Sequence, residues 1–175
     1  RSGRIVNTSS ESALGNMGQG NYAAAKEGIV GLTRVAARDL GRYGVTVNAI
    51  RPRAGTRLTL DPELLAQQKR MHESRVPGGR GAAAEALDTG ITGAMYKPEN
   101  VAPFVTWLCT DEAAHINGRT FLVGGNQVGV YTEPTVEAAI FAPHGDWSVD
   151  DISALAASTF LARMKNPAPA QAPKE

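Results

Sequence analysis

The sequence predicts an α/β fold built on a parallel sheet. Three observations in order predict it. A β-branched run, Ile5-Val6-Asn7-Thr8, comes first. A long stretch of helical periodicity follows from Asn21 to Arg42. A second β-branched run, Val45-Thr46-Val47-Asn48-Ala49-Ile50, comes next. Strand, helix and strand at this spacing form a parallel βαβ unit, whose crossover is expected to be right-handed.

Each element has its own signal. Ile5–Thr8 reads as a buried strand that delivers Ser9 and Ser10 to its C-terminal end. Gly15, Gly18 and Gly20 make the next stretch a loop. Between Asn21 and Arg42 there is no proline, and Ile29, Leu32, Ala36 and Leu40 recur at helical spacing, with Gly41 or Gly44 as the stop. Pro52 is expected to end the second strand. Residues 53–97 hold Pro62, Pro77 and the run Gly78-Gly79-Arg80-Gly81, with a short helix expected from Pro62 to His72. A long insertion after a strand's C-terminal end is where α/β proteins place substrate loops. Asn100 is the expected N-cap of a helix whose Val101, Phe104, Val105 and Leu108 form one apolar face, with Pro103 in the first turn. Thr120–Val123 reads as a third strand closed by Gly124-Gly125, and Val149–Met164 as a further short helix. The proline-bearing tail Asn166–Glu175 is expected to be disordered. No role is legible for Gly129–Trp147, beyond wrapping over the substrate site or a neighbouring subunit.

Composition narrows the function classes. The 175 residues amount to roughly one domain. A formal net charge of +1 argues against nucleic acid or an anionic membrane as the main partner. The single cysteine, Cys109, excludes a disulfide framework and a multi-cysteine zinc site; beside Leu108 it is expected to be a core thiol. His72, His115 and His144 lie too far apart for a helical metal pair. Apolar stretches such as Val101–Cys109 fall well short of the ~20 residues that cross a bilayer. The opening residues lead straight into a strand-like run with no signal-peptide core. The expectation is a cytoplasmic chain without a membrane or nucleic-acid partner.

The chemistry concentrates at the start of the long helix. Tyr22 and Lys26 are four residues apart, so they share one face of that helix. An ammonium beside a phenol favours the phenolate, and a tyrosine so placed can exchange a proton with a carbonyl or hydroxyl. Ser9 and Ser10 stand at the sheet edge where open α/β sheets bind ligands, and a serine hydroxyl there can polarise the same oxygen. Tyr43, Tyr96 and Tyr131 have Val47, Asn100 and Thr135 at the fourth position on, so the tyrosine–lysine pair is particular to Tyr22. Taken singly these are ordinary features: a helix-surface pair, and serines that cap a turn.

Their order resembles the short-chain dehydrogenase/reductase family. The matching text is Gly3-Arg4-Ile5-Val6-Asn7-Thr8-Ser9-Ser10, then Gly18-Gln19-Gly20-Asn21-Tyr22-Ala23-Ala24-Ala25-Lys26, then Gly31-Leu32-Thr33 and Val47-Asn48-Ala49-Ile50 with Pro52. Pro98-Glu99-Asn100-Val101 and Ile116-Asn117-Gly118 through Gly124-Gly125 are similar to the family's last helix and strand. The resemblance implies the C-terminal part of a Rossmann-like, doubly wound parallel sheet. It implies Tyr22 as catalytic acid/base, Lys26 as its partner and as a ligand of the nicotinamide ribose, and a substrate-polarising serine. Counting back the thirteen residues customary in the family lands on Ser9, whereas motif alignment with one loop residue deleted selects Ser10, the preferred choice. The family's nicotinamide loop reads Pro-Gly; here Pro52-Arg53-Ala54-Gly55-Thr56-Arg57-Leu58-Thr59 assigns Pro52, Gly55 and, at stretched spacing, Thr59 to the cofactor, a plain surface turn being the alternative.

The family's glycine-rich pyrophosphate turn, which precedes the serine strand, has no counterpart in this sequence, and Gly78-Gly79-Arg80-Gly81 does not qualify. The expectation is an incomplete catalytic domain over 1–165, with 60–97 as substrate loop. The cofactor half would be absent, and the chain alone inactive or self-associating. NAD and NADP are both open, because the residue that meets the adenosine ribose would lie in that half. The closest branch resembles the (3R)-hydroxyacyl-CoA dehydrogenase domains of multifunctional β-oxidation enzymes, which implies a 3-hydroxyacyl-CoA; a steroid-like alcohol or ketone is equally compatible. Arg51, Arg53 and Arg57 either attract a phosphate-bearing thioester carrier or, the preferred reading, are solvated surface charges. Ala23, Ala24, Gly28 and Gly31 either face the sheet or support a homo-oligomer through the 21–42 helix, as in the family. A non-catalytic binding or regulatory protein on the same scaffold is the alternative function, and a structural subunit that completes a partner a third.

Overall fold

A computed structural model of the chain describes residues 2–56, 63, 96–142 and 144–166. They fall into two units, Arg1–Thr132 and Glu133–Glu175. The first unit holds a four-stranded sheet in the order β1 (Gly3–Thr8), β2 (Val45–Arg53), β3 (Thr120–Gly124), β4 (Gln127–Val130). β1 to β2 and β2 to β3 are parallel, and β3 to β4 is antiparallel. Among the described residues, β1 is paired on one side only.

The expected βαβ unit is present. Helix α1 spans Gly20–Gly41 and buries Val30, Thr33 and Ala37, a three-four spacing that faces the sheet. Thr33 is fully buried inside this helix because its hydroxyl is satisfied twice: Oγ1 donates to the Ile29 carbonyl (2.8 Å) and accepts from Asn7 Nδ2 (2.9 Å). The opposite stripe is open to solvent. Ala24, Gly28, Gly31, Leu32 and Val35 are exposed there, and a Cβ built on Gly28 or Gly31 meets nothing within 4 Å. Ala24, Gly28 and Gly31 therefore do not face the sheet, whereas Ala23 is half-buried.

The other face of the sheet is covered by α2 (Ala102–Leu108). Ile50, Leu108, Ala113, Phe121 and Val123 form a buried cluster there, with Phe104 edge-on to Phe121 at 5.0 Å between ring centroids. The N-cap of α2 is Val101; Asn100 instead closes a 3₁₀ turn, Pro98–Asn100, that precedes it. Cys109 caps the C-terminal end of α2 and is exposed, not a core thiol, because the apolar face ends on Leu108.

One strand boundary and one additional strand depart from expectation. Pro52 does not stop β2, which runs on to Arg53. Backbone polar groups alternate sides along a strand, and the Ile50 carbonyl already accepts from Ser9 at the end of β1. Pro52 points its absent N–H to that same side, where β1 has ended, so nothing is lost. β3 is followed by a hairpin strand, β4, turned through Gly125 (φ 58°) and Asn126.

Two asparagines, Asn48 buried and Asn117 half-buried, lock the sheet to its connections. Asn117 Oδ1 accepts from Val47 N (2.8 Å) and its Nδ2 donates to the Ala37 carbonyl (2.9 Å). Asn48 Nδ2 donates to the Ile116 carbonyl (2.9 Å) and its Oδ1 accepts from Arg119 N (3.0 Å).

In the second unit the expected helix Val149–Met164 is divided. Helix α3 covers Val149–Ala156, started by a capping box between Ser148 and Asp151. The Ser148 hydrogen bonds hold the Asp151 carboxyl below its usual range. A 3₁₀ turn, Phe160–Arg163, restarts after extended Thr159, whose Oγ1 accepts from Leu161 N. Apart from Glu63, the helix expected at 62–72 lies outside the described residues, as do the bulk of the 60–97 loop and the tail from residue 167.

Candidate active site

The site is built where β1 runs out. Strand alternation sends Ser9 and Ser10 to opposite sides, and the structure separates their duties. Ser9 is 2% exposed, and its hydroxyl donates to the Lys26 carbonyl at 2.7 Å. It is occupied as a clamp between β1 and α1. Ser10 is only half-buried and caps the 3₁₀ turn Glu11–Leu14, its Oγ accepting from Ser12 N at 3.1 Å. Its own proton remains available for donation.

Tyr22 lies in the first turn of α1 and is 44% exposed. Lys26 follows one turn later. Its Nζ donates to the Thr8 carbonyl at 3.0 Å and stands 5.6 Å from the centre of the Tyr22 ring. One ammonium thus joins the helix start to the strand end at the C-terminal edge of the parallel strands.

The residues assigned to the cofactor loop are placed unequally. Pro52 is inside β2. Gly55 follows β2 and donates its N–H to the Tyr96 carbonyl at 2.7 Å, which joins the two ends of the 57–95 segment. Thr59 and Arg57 lie outside the described residues.

Arg51 and Arg53 are not solvated surface charges. Arg51 is 3% exposed; its Nη2 donates to Glu27 Oε2 at 2.6 Å and its guanidinium lies 4.8 Å from the centre of the Tyr131 ring. Arg53 grips Glu11 with both arms of its fork, Nε to Oε2 and Nη2 to Oε1 (2.8 Å). Tyr131 donates its hydroxyl to Glu11 Oε1 at 3.0 Å. The hydrogen bonds that Arg53 donates to Glu11 strengthen its hold on its proton, and burial followed by the Glu11 charge pushes the Tyr131 phenol up to about 12. Sequence reasoning missed Glu11, Glu27 and Tyr131. The available signal was that each acid directly follows a candidate site residue, Ser10 or Lys26.

Among the described residues there is no group of three or more His, Cys, Asp or Glu able to hold a metal ion, and no helix long and apolar enough to cross a membrane.

Comparison with known proteins shows the family and the fold. The family model described as enoyl-(acyl carrier protein) reductase matches residues 1–125. A hydroxyacyl-CoA dehydrogenase, ChsB1 of Mycobacterium tuberculosis, is 40% identical over 162 residues, 92% of this chain and 45% of the relative. The 3-oxoacyl-[acyl-carrier-protein] reductase FabG of Vibrio cholerae is 36% identical over 126 residues, 71% of this chain and 46% of the relative. The crystal structure of a short chain dehydrogenase from Mycobacterium avium superposes with a TM-score of 0.64 at 35% identity, over 95% of this chain and 47% of that one. The chain spans about half the length of the relatives it matches.

Proposed function

Because the chain belongs to the short-chain dehydrogenase/reductase family, we propose that it carries the proton-handling part of an oxidoreductase that interconverts a secondary alcohol and a ketone with NAD or NADP. The observation that carries this reading is the Lys26 ammonium, held by the Thr8 carbonyl and set beside the Tyr22 ring at the C-terminal sheet edge. In this reading Tyr22 passes a proton to or from the substrate oxygen, and Ser10 donates a hydrogen bond to that same oxygen. Lys26 fits the hydroxyls of a nicotinamide ribose: an ammonium has three hydrogens, and Thr8 takes one. The nicotinamide, when bound, supplies or accepts the hydride. Gly55 already gives its amide to Tyr96, so it serves the cofactor only through its carbonyl and its small size.

The substrate class favoured is a 3-oxoacyl or 3-hydroxyacyl thioester, because both quoted relatives are named for such substrates. A bulky steroid-like ketone is the competing class. The outer edge of β1, unpaired among the described residues, receives further strands in this reading, and the 175 residues alone turn over poorly or not at all. The exposed stripe of Ala24, Gly28, Gly31, Leu32 and Val35 is the proposed self-association surface. A cytoplasmic setting, in which exposed Cys109 stays reduced, belongs to the same proposal.

The test uses the 175-residue chain and a chimera that adds, at its N-terminus, the portion of the Mycobacterium tuberculosis relative not covered by this chain. NADH and NADPH binding is measured by calorimetry, and acetoacetyl-CoA reduction by absorbance. The expected result is binding and turnover in the chimera, abolished by Tyr22→Phe. Cofactor binding in neither form overturns the oxidoreductase reading and favours a non-catalytic scaffold. Turnover of a bulky cyclic ketone but not of acetoacetyl-CoA moves the substrate class.

A further inference from the structure

Two arginines project from the same face of β2, because Arg51 and Arg53 are two residues apart on one strand. Each engages the acid that directly follows a proposed reacting residue. Arg51 holds Glu27, next to Lys26, and Arg53 holds Glu11, next to Ser10. Tyr131 bridges the two pairs, with its hydroxyl on Glu11 and its ring against Arg51.

The Arg53 pair is the better placed to act on the chemistry. Glu11 is the first residue of the turn that Ser10 caps, so a fixed Glu11 fixes the backbone from which the Ser10 hydroxyl is aimed. Arg53 is itself fixed. Its backbone is paired with Gly124 so closely that a Cβ there would stand 2.5 Å from the Arg53 carbonyl oxygen. Two residues on, the Gly55 N–H donates to the Tyr96 carbonyl. One guanidinium therefore ties the Ser10 turn to the end of β2. The two ionic groups are mostly shielded, with side chains 13% exposed at Arg53 and 25% at Glu11, where a forked pair holds its geometry better than a surface pair.

We propose that Arg53, acting through Glu11 and Tyr131, is a positioning residue that aims the Ser10 hydroxyl at the substrate oxygen. It touches neither substrate nor cofactor. The catalytic half of this proposal rests on Ser10 and Tyr22 being the reacting pair; the ordering half does not. Displacing a reacting group by about 1 Å costs on the order of a hundredfold in rate, so loosening the turn lowers kcat more than it raises KM.

The experiment has two arms. Amide hydrogen exchange of the 175-residue chain reads Ser12 and Ala13, whose N–H groups are held by Ser10. Acetoacetyl-CoA reduction by the chimera reads kcat and KM. Arg53→Met is expected to speed exchange at Ser12 and Ala13 at least about tenfold and to lower kcat about ten- to a hundredfold with KM within about threefold. Arg53→Lys, which keeps the charge and loses the fork, is expected to fall between. Wild-type exchange rates in Arg53→Met overturn the proposal whatever the activity. Faster exchange with unchanged kcat, in an assay that Tyr22→Phe abolishes, overturns it too and leaves Arg53 a purely structural residue. An inactive wild-type chimera sinks the catalytic reading, and the exchange arm alone then decides whether Arg53 orders Ser10. Glu11→Gln repeats both arms should Arg53→Met fail to fold.

Discussion

The Lys26 ammonium and the Thr8 carbonyl oxygen are 3.0 Å apart, a hydrogen bond that fastens the first turns of α1 to the last residue of β1. The same ammonium sits beside the Tyr22 ring, so one side chain serves both the architecture and the proposed chemistry. Lys26→Met removes the donor and the charge together. It is expected to cost about 1 kcal/mol of stability, as for a single partly solvated hydrogen bond, and to reduce turnover of the chimera at least about a hundredfold. Lys26→Arg restores charge but replaces a compact ammonium with a planar fork, so it is expected to recover stability better than rate. Urea midpoints and kcat on the same samples check this. Lys26→Met keeping a tenth of wild-type turnover would remove Lys26 from the mechanism.

Gly124 is a packing requirement and not a flexible joint. A Cβ at this position would lie 2.5 Å from the Arg53 carbonyl oxygen and 2.6 Å from Arg53 Cβ, both on the neighbouring strand and neither free to swing away. Gly124→Ala must therefore push β3 from β2 at the residue that carries Glu11. The expected cost is about 1–3 kcal/mol, as for other overpacked sites, with faster amide exchange at Ser12 as its local sign. Gly28→Ala is the control: its Cβ meets nothing within 4 Å, and alanine favours helix by roughly 1 kcal/mol, so this variant is expected to be stabilised. Denaturant midpoints of the two variants moving in the same direction would contradict the argument.

The parts of the fold legible in the sequence are those whose signal is local. β1, α1 and β2 announce themselves by β-branched runs on either side of a long breaker-free stretch, and their observed limits fall within a few residues of the expected ones. β4 escaped because Gln127–Val130 is four residues long with a glycine inside, although Gly125-Asn126 between two valine-bearing segments is a hairpin signal. The choice between Ser9 and Ser10 could not be made by counting. Which of the two faces α1 is not legible in the order of residues, and it is Ser9 that donates its hydroxyl to the Lys26 carbonyl. The roles of Arg51 and Arg53 were illegible for a different reason. Arg53 meets Glu11 across 42 residues and Tyr131 meets Glu11 across 120, so no window of periodicity contains the pair. Only the parallel order of β1, β2 and β3, with the β3–β4 hairpin returning the chain, brings Glu11, Arg53 and Tyr131 to one edge.

Asn48 satisfies two backbone groups with one side chain. It is 1% exposed, and both ends of its amide are engaged, by the Ile116 carbonyl and the Arg119 N–H. Asn48→Leu keeps the approximate volume and strands both backbone groups. The expected loss is about 2 kcal/mol or more, because an unpaired buried polar group costs roughly 1–3 kcal/mol. Asn48→Asp keeps the acceptor and abolishes the donor, so at neutral pH it leaves an oxygen against the Ile116 carbonyl and is expected to be no better. Thermal melts of the two variants decide the matter. A loss within experimental error of zero for Asn48→Leu would mean that water replaces both contacts.

Tyr131 gives the Glu11 cluster a signature in alkali. Burial first, and then the Glu11 charge, push its phenol up to about 12 from the ordinary 10. In the unfolded chain the phenol ionises near 10, so between pH 10 and pH 12 the unfolded state holds fewer protons than the folded one. Stability is then lost as pH rises through that window, and the contribution is fully present below it. Tyr131→Phe removes this titration while keeping the ring against Arg51. Its stability is expected to be lower than wild type at neutral pH, where the bond to Glu11 is gone, and to fall less steeply between pH 10 and pH 12. Every other alkaline group is common to both proteins and cancels in the difference between their denaturation midpoints. Parallel curves across the window would mean that the Tyr131 hydroxyl is not held against Glu11, and the Arg53–Glu11 fork would then stand without its third member.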